Sequence, residues 1–479
     1  MNYKIVIKVL AFLSIFLGLG MLLPLPFCYY YESGDSVAFL LSSAICFSIG
    51  ILAFLSNDKR TDLKTKDGFA IVTFGWIIMA LLGSLPYLIS GAIPSFADAF
   101  FESMSGFTTT GSTILPEIES LPKGILLWRS ITHWFGGMGI IVLTIAILPF
   151  LGIGGMSLFK AESPGPISDR LKPRITQTAK LLWGVYVLLT ATELILLMLG
   201  GMDFYHSLNH SFATMATGGF STKNLSLAGE TPYTQYIVII FMFIAGTNFS
   251  LHYHWMRGDF MSVYKSTEFK VYVFIVLFAS FFIFTDVFQL YAGAVEPAIR
   301  DILFHVIAVI TTTGFATSDF ELWSNSSQIM TLALMFIGGM AGSTSGGMKV
   351  IRVILLIKFA FNQFVKVLHP RAIVPIKVGE TRIEDKVIRD VLGFFVLYMF
   401  ILGISIYLLI LFGLDLESAI GSAVTAINNI GPGLNLTGPT DNFGFLPDIS
   451  KWLLSFLMLV GRLEVLTVII LLAPSYWKK

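Results

Sequence analysis

Ten apolar runs of about 20 residues each dominate the sequence and constrain its fold more than any other feature. A helix of about 20 apolar residues crosses the hydrocarbon core of a bilayer, so each run is typical of a membrane-spanning helix. The runs are Ile5 to Phe27, Val37 to Leu55, Phe69 to Ser90, Ile125 to Leu151, Leu181 to Leu199, Tyr236 to Met256, Phe269 to Tyr291, Met330 to Phe361, Val391 to Phe412 and Trp452 to Ala473. The sequence therefore predicts an all-α polytopic membrane protein.

Composition and charge exclude two large classes of protein. Asp, Glu, Lys and Arg make up 13% of the 479 residues, whereas a soluble globular protein has roughly 25%. The net charge of +1 gives no basic surplus for binding nucleic acid. The two cysteines, Cys28 and Cys46, form neither a disulfide framework nor a set of metal ligands. A soluble enzyme and a nucleic-acid-binding protein are therefore excluded.

Basic residues predict the orientation, because Lys and Arg in short loops stay on the cytoplasmic side. If both termini are cytoplasmic, the outer segments contain five basic residues, which are Lys123, Arg129, Lys223, Arg300 and Lys451. Most others then fall in cytoplasmic segments, such as Lys59, Arg60, Lys64, Lys66, Arg170, Lys172, Arg174 and those between Lys349 and Arg389. We therefore expect both termini in the cytoplasm and the first run retained as a helix, not cleaved as a signal peptide.

Four outer connections each contain a segment of about 13 residues that ends in a turn with glycine. The segments begin at Asp98, His206, Asp301 and Ser418, and their turns end at Gly111, Gly219, Gly314 and Gly431. Thirteen helical residues rise only about 20 Å, which is too short to cross a bilayer. We therefore predict four half-helices that enter the membrane and return as extended chain.

The half-helices share a register. The residues nine positions before the turn glycines are Glu102, His210, His305 and Ser422, and those thirteen before are Asp98, His206, Asp301 and Ser418. The apolar run after each turn aligns on Gly137, Gly246, Gly339 and Gly461, which puts Arg462 opposite Met138, Thr247 and Met340. The predicted architecture is therefore two N-terminal helices (1–67) and four pseudo-symmetric units around one pore, at 68–160, 161–258, 259–361 and 362–479.

The turns contain the chemistry expected of a cation site. Non-helical backbone at membrane depth persists where it is buried or lines a watery cavity. Four small, Thr-rich turns around one axis would offer rings of carbonyl oxygens that can replace the hydration shell of a monovalent cation. The C-terminal end of each half-helix adds about −0.5 of a charge. The alternative is that the turns are structural re-entrant loops.

The turn sequences TTTGST, ATGGFST, TTTGFAT and NNIGPGL, together with GGMAGSTSGGMKVIR and GRLE, closely resemble those of the Trk-type potassium-uptake family over the whole chain. The resemblance implies a potassium filter formed by Thr109, Thr110, Gly111, Thr217, Gly218, Gly219, Thr312, Thr313, Gly314, Asn429, Ile430 and Gly431. It implies that the backbone carbonyls of Thr110, Gly218, Thr313 and Ile430 hold the ion. Plant relatives that pass sodium have Ser in the first turn, so Gly111 implies potassium. Gly218 and Ile430 depart from the Thr of the other two turns.

The run from Met330 contains five glycines between Gly338 and Gly347. Each glycine costs a helix about 1 kcal/mol relative to Ala, so we expect the helix to break here. The resemblance implies that a flexible segment beneath the filter gates the pore, with Gly342, Ser343, Thr344, Ser345, Gly346 and Gly347 as the gate. The alternative is a packing face of small residues.

Arg462 lies about ten residues into an apolar run, too deep to reach water easily. We expect an electrostatic barrier below the filter or a tether for the gate; the alternative is a structural salt bridge. Glu464 is about 200° further round the helix, so we expect it to pair with Lys349 or Arg352. Glu193 and Asp286 are expected to form hydrogen bonds between helices or to lie near a surface.

The leading functional hypothesis is a potassium channel-like subunit, and the alternative is a proton- or sodium-coupled symporter that titrates Glu193, Asp286 or Glu464. The sequence contains no catalytic pair that would indicate an enzyme and no nucleotide-binding motif. The resemblance implies potassium as the ligand. The resemblance implies the plasma (inner) membrane of a bacterium or archaeon and a homodimer. It also implies a cytosolic nucleotide-binding regulatory subunit (TrkA-like) that docks at Lys160 to Lys180, Arg257 to Lys270 and Lys349 to Arg389. A positive inner face would equally suit anionic membrane lipid.

Overall fold

The computed structural model describes residues 3–55, 65–139, 175–372 and 374–478. Within these ranges six helices are long and apolar enough to cross a membrane, and eight if each of two sharply bent helix pairs counts as one crossing. The predicted all-α membrane fold is confirmed. The second part of the run from Ile125 to Leu151 and most of the loop from Lys160 to Lys180 lie outside the described residues.

Two N-terminal helices precede the repeated units. They comprise Tyr3–Gly20, which continues into the short helix Leu25–Tyr30, and Ser36–Leu55. The two long helices pack closely through small residues, and the Ser43 hydroxyl donates a hydrogen bond of 2.8 Å to the carbonyl oxygen of Gly18. This pair packs in turn against the first helix of unit 1.

Each unit then contains a first helix, a half-helix and a last helix. The first helices are Thr65–Gly83 (followed by Leu85–Ile89), Ile175–Leu199, Thr267–Val287 and Asp385–Leu411. The half-helices are Phe96–Phe107, Phe204–Met215, Val295–Ile310 and Leu416–Asn428. The last helices are Lys123–Gly137, Pro232–Ala245 with Phe249–Met256, Asn325–Ile337 with Val350–Leu368, and Asp448–Arg462 with Leu466–Ile469. The predicted order of elements is thus present in the described part of all four units.

Local sequence explains where the half-helices begin and end. Ser95, Asp203 and Asp415 cap three of them by accepting hydrogen bonds from backbone N–H groups of the first turn. All four end in the same double hydrogen bond; in unit 1, Thr110 N donates to Ser105 O and Thr109 N to Gly106 O. This is the Schellman pattern, which requires a left-handed residue after the helix. The chain therefore leaves each half-helix at a sharp, defined angle.

The last helices differ from the sequence-based prediction. Only the run from Met330 was expected to break, and it does so between Ile337 and Val350. The runs from Tyr236 and Trp452, which were expected to be continuous, are bent by 103° and 111°. In unit 2 the second segment restarts at Asn248, whose side chain accepts a hydrogen bond from Ser250 N. The bends place the ends of these helices beneath the turns.

A smaller structure follows the last helix of unit 3. The helix Val350–Leu368 follows the break after Ile337, and a hairpin of Lys377–Val378 and Thr381–Arg382 packs beside it. Ile376, Ile383 and Ile388 form an apolar cluster with Leu355 of that helix. Short helices also form at Phe260–Lys265 and Pro474–Trp477.

Candidate ion-conduction site

The four turns meet in a closed ring. A Cβ atom built on Gly111 would lie 2.2 Å from the carbonyl oxygen of Gly218 in unit 2. The same contact repeats in sequence: Gly219 with the oxygen of Thr313 (2.0 Å), Gly314 with that of Ile430 (1.9 Å), and Gly431 with that of Thr110 (3.1 Å). Each turn glycine therefore packs against the carbonyl that precedes the next glycine, and unit 4 closes on unit 1.

The backbone has the same unusual conformation in all four turns. Thr109, Thr217, Thr312 and Asn429 have φ between 53° and 57°, and the glycines two residues later have φ between 75° and 113°. A β-branched residue with positive φ is an outlier, which persists only where its surroundings impose it. This shared conformation turns the intervening carbonyls, those of Thr110, Gly218, Thr313 and Ile430, toward the neighbouring unit.

Side chains hold the turns together. The hydroxyls of Thr108 and Thr110 are 2.8 Å apart, and those of Thr311 and Thr313 are also 2.8 Å apart. Asn429 Nδ2 donates to Thr110 Oγ1 and to the carbonyl of Met458, both at 2.9 Å. Turn 4 is therefore tied to turn 1 and to its own last helix, although its sequence departs from the others.

Two buried residues of the last helix of unit 1 were not predicted as part of the site. The ring of His133 bonds to Gly106 O through Nδ1 (2.7 Å) and accepts from Phe220 N through Nε2 (3.2 Å). Arg129, expected among the outer basic residues, is instead 1% exposed and pairs with Glu102. One signal in the sequence pointed to this network: Glu102 lies nine residues before a turn glycine, at a position that the four half-helices share.

An open cleft lies on one side of the ring. Its lining includes the four turn glycines and Arg129. Residues 338–349 lie on the opposite side of the ring, and we call them the membrane-depth loop. The ring thus separates this cleft from the membrane-depth loop.

The membrane-depth loop contacts three units at once. The Thr344 hydroxyl bonds to the carbonyl oxygens of Met215 (3.0 Å) and Ala245 (3.2 Å) in unit 2. Gly346 N donates to Thr312 Oγ1 in turn 3 at 2.6 Å. A Cβ on Gly346 would lie 2.2 Å from Asn428 O in unit 4. The loop therefore extends from unit 2 to unit 4 directly below the turns, and the expected break of this helix is confirmed.

Arg462 holds this loop. Its guanidinium donates to the carbonyl oxygen of Thr344 (2.8 Å) and to those of Gly136 (2.6 Å) and Gly137 (3.0 Å). Backbone carbonyls at the end of a helix attract a cation because of the helix dipole. Of the expected roles, this geometry favours a tether between the loop and unit 1.

The alignment of Arg462 with Met138, Thr247 and Met340 is wrong by one residue. A Cβ on Gly461 would lie 2.0 Å from Ile427 O, and one on Gly136 would lie 1.9 Å from Phe107 O. Since both carbonyls come four residues before a turn glycine, Gly461 corresponds to Gly136 rather than to Gly137. Arg462 therefore replaces the glycines at 137, 246 and 339.

The other intramembrane acids have separate surroundings. Glu464 pairs with Arg352, one of its two expected partners. Lys349, the other, donates to the carbonyl of Ser345. Asp286 is exposed at the end of its helix and accepts from the hydroxyls of Ser324, Ser326 and Ser327. Glu193 is fully buried facing Thr214, and neither carboxyl oxygen has a hydrogen bond of normal geometry among the described residues.

Comparison with known proteins identifies the family. The sequence profile of the family described as "TrkH: Cation transport protein" matches residues 35–479. The chain belongs to the TrkH family. It is 39% identical to the Trk system potassium uptake protein TrkH of Escherichia coli K12, and the match covers 100% of each chain. It is 35% identical to the Trk system potassium uptake protein TrkI of Halomonas elongata, over 99% of this chain and 97% of that protein.

The fold agrees with that of a solved TrkH-family member. The crystal structure of the potassium transporter TrkH from Vibrio parahaemolyticus superposes with a TM-score of 0.89 at 36% identity, covering 100% of each chain. The expected resemblance to Trk-type proteins is therefore confirmed. The relatives are named as transport proteins rather than as enzymes, in agreement with the expected class.

Proposed function

We propose that this chain conducts potassium ions across the membrane through the ring formed by its four turns. The ring of glycine-to-carbonyl contacts that closes from unit 4 to unit 1 carries this proposal. The carbonyls of Thr110, Gly218, Thr313 and Ile430 are the potassium ligands, and the relatives are named as potassium uptake proteins.

Electrostatics of the half-helices favour a cation in this ring. All four C-terminal ends stop at the turns, and each contributes about −0.5 of a charge. Rings of carbonyl oxygens can replace the water around a potassium ion without a fixed negative side chain. A Cβ atom at Gly111, Gly219 or Gly314 would overlap a neighbouring carbonyl, and one at Gly431 would be in tight contact, so backbone packing fixes the spacing of the ring.

The membrane-depth loop is the gate in this proposal. It lies below the ring and bonds to units 2 and 3. Arg462 ties the loop to unit 1 and so holds it below the ring. Opening then requires the loop and Arg462 to move away together.

Regulation comes from outside the chain in this account. The relatives are components of a "Trk system", a name that implies further subunits. We propose a nucleotide-binding cytosolic subunit that docks on the basic segments Arg257 to Lys270 and Lys349 to Arg389, and a homodimeric assembly with both termini in the cytoplasm. Removing the basic residues Lys358 and Lys366 by K358Q/K366Q should weaken co-purification of such a subunit without loss of the folded protein.

Reversal potentials of the purified protein in lipid bilayers test the proposal. With potassium on one side and sodium on the other, the current should reverse at a potential set by potassium. An imposed pH difference should not shift this potential. A reversal potential that follows sodium equally with potassium would contradict the proposed selectivity.

Proton-coupled potassium transport is the second candidate, and Glu193 favours it. The carboxyl group is fully buried beside half-helix 2, with no hydrogen bond of normal geometry among the described residues. A buried acid of this kind is costly unless it binds a proton or a cation. Proton coupling predicts that the reversal potential of the parent protein shifts with an imposed pH difference and that Glu193→Gln abolishes this shift. If the reversal potential of the parent protein does not shift with pH, this candidate is excluded.

A further inference from the structure

Glu102 and Arg129 form a buried ion pair behind turn 1. Arg129 Nε donates to Glu102 Oε1 at 2.8 Å, and the two side chains are 1% and 0% exposed. Glu102 belongs to half-helix 1, and Arg129 belongs to the last helix of the same unit. Neither residue belongs to the four turns, and the proposed conduction path does not use them as ligands.

Both partners bond to the chain that leaves turn 1. Glu102 accepts from the Thr113 hydroxyl (2.9 and 3.0 Å) and from Ile114 N (3.1 Å). Arg129 Nη2 donates to the same hydroxyl at 3.3 Å. Thr113 is two residues after Gly111, so the pair fixes the position at which the chain emerges from turn 1.

Arg129 also reaches the chain that leaves turn 2. Its Nη1 donates to the carbonyl oxygen of Ser221 at 3.1 Å, and its guanidinium lies 4.0 Å from the centre of the Phe220 ring. Four residues later on the same helix, His133 accepts from Phe220 N and stacks on its ring at 4.1 Å. One arginine therefore links the chains that follow two adjacent turns.

The other units show what is particular to this pair. Thr331 in unit 3 corresponds to Arg129, because each lies eight residues before the matching glycine, Gly339 or Gly137. The Thr331 hydroxyl bonds to His305 Nε2 at 2.8 Å. His305 and Glu102 both lie nine residues before a turn glycine. The same two positions therefore meet in units 1 and 3, but the unit 3 pair is neutral. No described hydrogen bond connects it to an adjacent unit.

We propose that the Glu102–Arg129 pair is a positioning element that sets the ion selectivity of the ring by fixing turns 1 and 2 relative to each other. The carbonyl of Gly218 in turn 2 packs against Gly111 in turn 1, so a shift between these turns changes one side of the ring. Removing one partner leaves the other as an uncompensated buried charge, which forces the surrounding chain to move. This inference rests on the proposed potassium conduction.

The test compares variants of this pair with a second ion pair on the same half-helix. Asp98 and Lys451 are 2.5 Å apart at the outer end of half-helix 1 and have no described hydrogen bond to turn 2. The test variants are Arg129→Lys, Arg129→Gln and Thr113→Val, and the controls are Asp98→Asn and Lys451→Gln. Arg129→Lys keeps the charge, but its single ammonium nitrogen cannot reproduce the planar fork with which Nε, Nη1 and Nη2 reach three separate partners. Thr113→Val keeps the shape of a partly buried residue and is expected to fold.

Potassium-to-sodium permeability ratios from reversal potentials are measured for the parent first. A parent protein that selects potassium supports the proposed conduction. A parent protein without selectivity overturns the proposed potassium conduction, and not the positioning role of the Glu102–Arg129 pair. For a selective parent, we expect each test variant to reduce the ratio by roughly tenfold, the equivalent of about 1.4 kcal/mol, while the controls retain the parent ratio.

Three results would overturn the positioning role. The first is a potassium-to-sodium permeability ratio that is unchanged in Thr113→Val and also unchanged in every Arg129 variant that folds. The second is recovery of the parent ratio by Arg129→Lys when Arg129→Gln has lost it, since charge alone would then be sufficient. The third is an equal loss in the Asp98→Asn and Lys451→Gln controls.

Discussion

The imidazole ring of His133 fills the space beside Gly218. A Cβ atom at Gly218 would lie 2.4 Å from the Cγ atom of this ring. Turns 1 and 3 have Thr110 and Thr313 at the equivalent position. Turn 2 therefore lacks the threonine because the preceding unit supplies a ring in its place, and the departure in sequence has a packing cause.

We expect Gly218→Thr to reduce the amount of folded protein, because its side chain and the His133 ring would occupy the same volume. Such overpacking costs on the order of 1–3 kcal/mol. Adding His133→Met introduces the residue type found at the equivalent Met242 and Met335 and should restore folding. Size-exclusion yield and flux per folded protein measure both effects; parent-level yield of the single variant would contradict the packing account.

Gly111→Ser should raise sodium permeability relative to potassium by roughly tenfold. The new side chain would displace the carbonyl of Gly218, 2.2 Å from the Cβ position, and open one side of the ring. Gly91→Ser is the matched control, because Gly91 has a similar positive φ of 74° but open space around it. The measurement is the reversal potential with sodium and potassium on opposite sides. An unchanged ratio in folded Gly111→Ser would count against the ring as the filter.

Shortening the membrane-depth loop between Gly342 and Gly347 should raise basal potassium flux, because the loop lies below the ring. Thr344→Val is a milder change that removes the two hydrogen bonds to unit 2. We expect both variants to conduct more per folded protein than the parent in a liposome flux assay. Lower flux in both would indicate that the loop supports the ring instead of blocking it.

Arg462→Ala should increase flux by about tenfold, because it removes three charge-assisted hydrogen bonds as well as the positive charge. Arg462→Lys separates the two effects, since Lys keeps the charge but its single nitrogen cannot span the loop and unit 1 as the two guanidinium nitrogens do. A tether predicts raised flux in both variants, and a pure electrostatic barrier predicts it only in Arg462→Ala. Arg300→Lys and Arg300→Ala serve as controls, because Arg300 pairs with Glu296 near the start of half-helix 3. A fall in flux per folded protein for both Arg462 variants would contradict a role in closing the pore.

Much of the fold follows from patterns that sequence displays directly. Apolar runs predict membrane helices, and the shared spacing of Gly111, Gly219, Gly314 and Gly431 predicts four equivalent turns. Glycine density predicts the break after Ile337. The breaks at Gly246 and Arg462 were missed because the runs around them are apolar and contain no proline. Asn248, a helix-capping residue after Gly246, was the available signal in unit 2.

Contacts between units could not be predicted in the same way. The register singled out Glu102, but its pairing with Arg129 depends on how the half-helix packs against the last helix. The role of His133 depends on a neighbour in the next unit, 85 residues away in the chain. The one-residue error at Arg462 arose because glycine was matched to glycine. The matching methionines at 242, 335 and 458 give the correct register.

The most direct measurement is the position of a heavy potassium analogue in crystals of this protein. Rubidium or thallium soaked into the crystals gives an anomalous signal that locates the ion. The account predicts a peak on the axis between the carbonyl oxygens of Thr110, Gly218, Thr313 and Ile430, which weakens when sodium is in excess. Ordered ions found elsewhere in the membrane region, with no peak inside this ring, would contradict the assignment of the four turns as the conduction site.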